Sequence, residues 1–261
     1  MRKWIAPILC ICLLAACCVP ALAATDAKYA DALNALGLFR GTDKGYELEK
    51  SLTREQGVVM IIRLLGAEKD ALACKEAHPF TDLTNYAWFA PYAAYAYSKG
   101  ITRGVSATAF GYGSGMTEAM FLTMLLRVLG YEDANDGSKD FVWSDPFTLA
   151  KTLKIAETPI AGAFTREAMT ERCWNTLSAR FKEENKTLAE KLIADSVFPE
   201  EKWDETKAKL SGGTGTGAAS SGSTGTTQPS STRPGGSSSG AGAGDSYKPV
   251  KPNETPRLPM P

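Results

Sequence analysis

Arg54 and Arg166 each follow a threonine, Thr53 and Thr165, and each precedes a glutamate where a helical pattern begins. A guanidinium in that place offers a planar fork of N–H donors that fits a carboxylate. The helix start adds free backbone N–H groups and the positive end of a dipole. Such a pattern suits recognition of a fixed anion. Other chemistries are poorly served. The lone His78 excludes a His-cluster metal site and any mechanism needing two histidines. No Ser-His-Asp order, metal-ligand cluster or P-loop appears, and no cofactor is implied. Gly236-Ser237-Ser238-Ser239-Gly240 has the form of a nucleophile elbow, but it lies in low-complexity sequence with no strand or helix around it. Carboxylates such as Asp82 and Glu118 leave glycan hydrolysis as the rival chemistry.

The elements that would position these residues repeat. Arg63-Leu64-Leu65-Gly66 returns as Arg127-Val128-Leu129-Gly130, 64 positions on, and Gly37-Leu38-Phe39-Arg40-Gly41 as Gly100-Ile101-Thr102-Arg103-Gly104, 63 positions on. Leu52-Thr53-Arg54-Glu55 is echoed by Met116-Thr117-Glu118-Ala119 and by Phe164-Thr165-Arg166-Glu167. Internal similarity in constant order defines three units, 27–68, 78–131 and 140–182, the last degenerate. Each reads as helix-loop-helix. Met120, Phe121, Met124, Leu125, Val128 and Leu129 form one apolar helical face, as do Val58, Ile61, Ile62 and Leu65. Thr53 and Thr117 stand at N-caps, Thr53 with Gln56 in a capping box, and Gly66 and Gly130 at C′ positions. The other helix of the second unit is expected over Tyr86–Ser98, carrying Trp88, Tyr92 and Tyr95. A glycine-rich loop then runs from Gly104 to Gly115. No unit has core enough to stand alone, so an all-α assembly of three is expected. Residues 183–210 read as one further amphipathic stretch. Cys74 and Cys173 are either two buried thiols or a disulfide.

The chain has 261 residues, with 29 basic and 29 acidic side chains and six cysteines, four of them before residue 19. Arg2 and Lys3, an apolar run from Trp4 to Val19 and Ala21-Leu22-Ala23 read as a signal peptide spanning 1–23, cleaved after Ala23. The run is too short for a comfortable membrane span, so none is expected in the mature chain. Leu14-Ala15-Ala16-Cys17 resembles a lipobox and leaves lipidation at Cys17 as the alternative. Residues 211–261 are Gly/Ser/Thr/Pro-rich and are expected to be a disordered tail. Between these ends stand 23 basic and 27 acidic side chains, a balance that offers no footprint for nucleic acid. Any anionic ligand must be met by individual arginines.

Phe80-x-Asp82, Trp88, Gly100-Ile101-x-x-Gly104, an aromatic near Phe110 and a Thr-led helix together resemble the S-layer homology (SLH) domain, across 27–182. The resemblance implies a pseudo-threefold bundle with ligand grooves between neighbouring units. It also implies non-catalytic anchoring, at the surface of an exported protein, to a secondary cell-wall polymer, a peptidoglycan-linked glycan that is often pyruvylated. The site residues it points to are Arg54, Arg166, Thr53, Thr165, Asp82, Trp88, Gly100, Gly104 and Arg103. Each has a plainer reading: Trp88 and Phe80 as core, Asp82 as a helix cap, the arginines as solvated first-turn residues. The sequence departs from the pattern at Glu118, which replaces the arginine and would repel a carboxylate, in the front half of the first unit, and in the shortened third loop. One or two working grooves are expected rather than three. A degenerate scaffold for envelope assembly stays open beside anchoring.

Overall fold

The computed structural model describes residues 26–212. The expected signal peptide, Cys17 and the expected tail from residue 213 onward lie outside the described residues. Among those described, the structure is helical, with isolated bridges but no strand. The helices are α1 (Lys28–Ala35), α2 (Arg54–Leu64), α3 (Glu68–Leu72), α4 (Ala90–Ser98), α5 (Glu118–Val128), α6 (Phe147–Thr152), α7 (Arg166–Leu177), α8 (Leu188–Ala194) and α9 (Glu200–Gly212), with a 3-10 turn at Thr81–Leu83.

Local rules set most boundaries. Thr53, Thr117, Thr165 and Thr187 are extended residues at the N-caps of α2, α5, α7 and α8. The last three accept a bond from a first-turn amide, while Thr53 and Gln56 form the capping box. Gly66 and Gly130 end α2 and α5 in the left-handed region. Gly37 and Gly100 do the same for α1 and α4, and each is followed by a buried aliphatic residue, Leu38 or Ile101. After α6 the same turn is made by Lys154 at φ 59°, followed by buried Ile155. The glycine is lost there but the turn is kept.

Three expectations are corrected. The helix foreseen from Tyr86 starts at Ala90, because Pro91 has no amide to donate and belongs in a first turn. Trp88 therefore precedes the helix. The 183–210 stretch is two helices parted at Ser196, which takes φ 60°, and the second continues to Gly212. Cys74 and Cys173 are unpaired, and only Cys173 is buried; that burial pushes its thiol pKa up.

Packing links segments distant in sequence. α4 lies on α2, α6 on α5, and α1 on α7, so each of these short helices pairs with a Thr-led helix from a different segment. α5 also touches both α2 and α7. Helices of six to nine residues are not stable alone, so their persistence is a tertiary effect. Gly57, in the middle of α2, leaves the space that the Met116 methyl occupies, and this lets the loop before α5 approach closely. α9 returns to pack on α1, with Trp203 against Trp174 and Phe198. One continuous core results.

Candidate functional site

The starts of α2, α5 and α7 converge. The Met116 amide donates to the Leu52 carbonyl, the Arg54 amide to Ser114, and the Arg166 amide to Lys50. A cleft of about 470 Å³ opens among these loops, lined by Ser51, Leu52, Met116, Glu118, Ile160 and Phe164.

A shared contact recurs at each meeting place. Counting back seven residues from Thr117, Thr53 and Thr165 gives Phe110, Tyr46 and Thr158. Each of their carbonyls accepts from an arginine: Arg54 Nε at 2.8 Å, Arg166 Nη1 at 3.3 Å and Arg172 Nη2 at 3.0 Å. The first two arginines are the ones that open α2 and α7. At the third meeting place the opening residue is Glu118, and the cation comes from Arg172 on α7. Glu118 accepts from Arg172 Nε and from the Ile160 amide, both at 2.8 Å. The Glu118 carboxylate is thus paired within the protein, with an arginine of α7.

The electrostatics of the three arginines differ. Arg166 has the Glu47 carboxylate 3.7 Å away, and Arg172 has Glu118. Arg54 is only 4% exposed, yet it makes no ion pair with any described residue. Besides Phe110 it donates through Nη2 to the Thr102 hydroxyl at 3.1 Å, and its guanidinium lies over the Phe110 ring. Burial, with Arg127 nearby, lowers its pKa from 12.5 to about 10. It stays cationic at neutral pH. A buried cation without a counter-ion is an unfavourable arrangement that an incoming anion would relieve.

The other predicted residues are placed as follows. Thr53 and Thr165 cap their helices, and the Thr53 hydroxyl also donates to Glu55. Glu55 accepts from the Gly113 amide at 3.0 Å, so Arg54 and Glu55, consecutive at α2's start, both bind the 110–115 loop. Asp82 holds that loop from the other side, accepting from the amides of Phe110, Gly111 and Tyr112 at 2.9, 2.8 and 3.4 Å. Burial raises its pKa, but these amides outweigh that and hold it below the ordinary value. Trp88 is half-buried and donates from Nε1 to the Tyr112 hydroxyl, beside the stacked Tyr86 and Tyr112 rings. Gly100 ends α4 with open space around it. At Gly104 a Cβ would meet the Ala109 carbonyl at 2.5 Å and Phe80 at 2.6 Å. Arg103 is largely exposed and reaches Asp133, which Arg127 grips with two bonds of 2.7 and 2.8 Å. The structure brings Arg54, Asp82 and Trp88 to one loop, whereas Arg166 lies at another meeting place.

Thr102, Arg172 and Glu47 were not foreseen, nor was the role of the Phe110 carbonyl. The seven-residue spacing from each threonine is the signal that could have found the carbonyls. Nothing local marks Arg172. Among the described residues no group of His, Cys, Asp and Glu could hold a metal, and no helix is long and apolar enough to cross a membrane.

Comparison with known proteins places one part of the chain in a known family. Residues 79–111 match the S-layer homology domain model, so an SLH domain is present there. A middle cell wall protein of Brevibacillus brevis is 31% identical over 139 residues, which is 52% of this chain and 13% of that protein. A surface layer protein of Brevibacillus choshinensis is 31% identical over 119 residues, 45% of this chain and 11% of that one. An endoglucanase of a Bacillus species is 38% identical over 69 residues, 26% of this chain and 7% of the enzyme. The chain spans only a small part of the length of the relatives it matches.

Proposed function

We propose that this protein is a non-catalytic anchoring module of the bacterial cell surface, exported by its N-terminal signal, that binds a secondary cell-wall polymer. The ligand class is a glycan bearing a fixed carboxylate, such as a ketal-linked pyruvate. The fold reading behind it is three helix-loop-helix units around a pseudo-threefold axis. Its support is the cyclic pairing of α4 with α2, α6 with α5 and α1 with α7, and the arginine-to-carbonyl contact found once at each junction.

The observation that carries the proposal is the buried Arg54 guanidinium, which has no counter-ion among the described residues. Its unused N–H groups would take the carboxylate, and the start of α2 adds its dipole. Trp88 and Tyr112 would face the apolar side of the sugar ring, while Asp82 and Gly104 hold the loop in place. In the rival hydrolase reading, Asp82 and Glu118 would have to move protons. Asp82 already accepts three backbone amides, and Glu118 is already bound by Arg172 and the Ile160 amide. Neither is poised as an acid or a base.

Retention on purified wall sacculi, before and after chemical removal of pyruvyl groups, tests the proposal. Loss of binding on removal is expected. Unchanged retention favours an envelope scaffold, and release of soluble sugar would establish the enzyme.

A further inference from the structure

The turn that follows each arginine-accepting carbonyl is the same at two of the junctions. The Ser114 amide donates to the Gly111 carbonyl at 3.2 Å, and 64 positions earlier the Lys50 amide donates to the Glu47 carbonyl at 3.0 Å. Phe110 and Tyr46 precede these turns and accept from Arg54 and Arg166; the Ser114 and Lys50 carbonyls cap the amides of the same two arginines. Gly111 and Glu47 are therefore equivalent positions.

They differ in one respect that bears on ligands. Gly111 takes φ 86° and has no side chain, and among the described residues no carboxylate pairs with Arg54. Glu47 takes φ 50°, a left-handed conformation that is unfavourable for a glutamate and that glycine would adopt freely. The turn needs only a glycine there. What glutamate adds is a carboxylate, and the surroundings hold it in place. Its Oε2 accepts from the Thr42 hydroxyl at 3.0 Å and lies 3.7 Å from Arg166 Nη1, while Oε1 pairs with Lys50. The pair with Arg166 is looser than the 2.8 Å contact of Glu118 with Arg172.

We infer that Glu47 is a resident carboxylate occupying, at the Tyr46–Arg166 junction, the position that a ligand's carboxylate takes at Arg54. The chain thus carries one anion site without a resident carboxylate and a second that its own side chain fills. This rests on the anion-binding reading of Arg54, and the test separates the two.

Calorimetric titration with a methyl hexoside bearing a cyclic pyruvate ketal, with the unketalated hexoside as blank, counts sites per chain. One site is expected for the native protein and two for Glu47→Gly, which also frees the backbone of strain. Adding Arg166→Met to Glu47→Gly should return the count to one. Glu47→Gln, which keeps the side chain's bulk but removes its charge, should show a weaker second site and serves if the glycine variant does not fold. One site in the native protein and still one in both folded variants overturns the inference alone. No site in the native protein but one in Glu47→Gly would sustain it and overturn the role given to Arg54. No site in any variant removes both.

Discussion

Replacing Arg54 by methionine separates recognition from folding. In the free protein the guanidinium carries its charge at a pKa lowered from 12.5 to about 10, a burden of about 3 kcal/mol. Methionine removes that burden and fills most of the volume. It also removes the bonds to the Phe110 carbonyl and the Thr102 hydroxyl, each worth about 1.5–3 kcal/mol as a charge-assisted contact. Thr102 keeps the Gly104 amide as a partner, so one carbonyl is left needing water. These effects nearly offset, and a net loss of about 0–3 kcal/mol follows. In a region of this size that lowers the melting temperature by at most about 12 °C. Binding should behave quite differently. Deleting one partner of a buried charge pair costs about 2–5 kcal/mol, which weakens Kd about 30-fold to several thousandfold. Thermal melts and titration with the ketal-bearing hexoside measure both quantities. Native affinity in a folded Arg54→Met protein would refute the reasoning.

Arg172→Met leaves Glu118 partly buried with only the Ile160 amide, and should destabilise by about 3–5 kcal/mol in urea unfolding. Adding Glu118→Gln should recover at least about 1 kcal/mol, because the two losses are coupled. Lys154→Gly, at an exposed left-handed position, should raise stability by about 0.5–1 kcal/mol in the same assay. Asp133 is held below its ordinary value of 3.8, chiefly by its bonds from Arg127 against the opposing effect of burial. Its contribution is therefore complete above about pH 3.8 and fades as the pH drops through the lower folded value. Asp133→Asn should lower stability at neutral pH and flatten its decline in acid, as followed by denaturation between pH 2 and pH 6.

What the chain makes legible by itself is what depends on neighbours within a turn or two. Thr53, Thr117 and Thr165 announce helix starts because a hydroxyl can serve amides two or three residues away. Gly66 and Gly130 announce ends because only a residue at ease with positive φ can turn the backbone there. Apolar spacing did the rest, and it overran at Tyr86–Phe89, where Pro91 delays the helix. The all-α class could be read in this way.

Which arginine lacks a counter-ion among the described residues could not. Arg54 and Arg166 have the same local setting, threonine before and glutamate after. They differ only through residues far away in sequence: Gly111, 57 positions after Arg54, and Glu47, 119 positions before Arg166. Asp82 looked like a helix cap, yet it anchors a loop nearly thirty residues on. Nothing near Glu118 in sequence shows that α7 places Arg172 against it. Local spacing sets backbone conformation because hydrogen bonds within a turn are short in sequence as well as in space. The charge balance of a buried site is fixed by whichever side chains the packed helices bring together, and only the tertiary structure decides that.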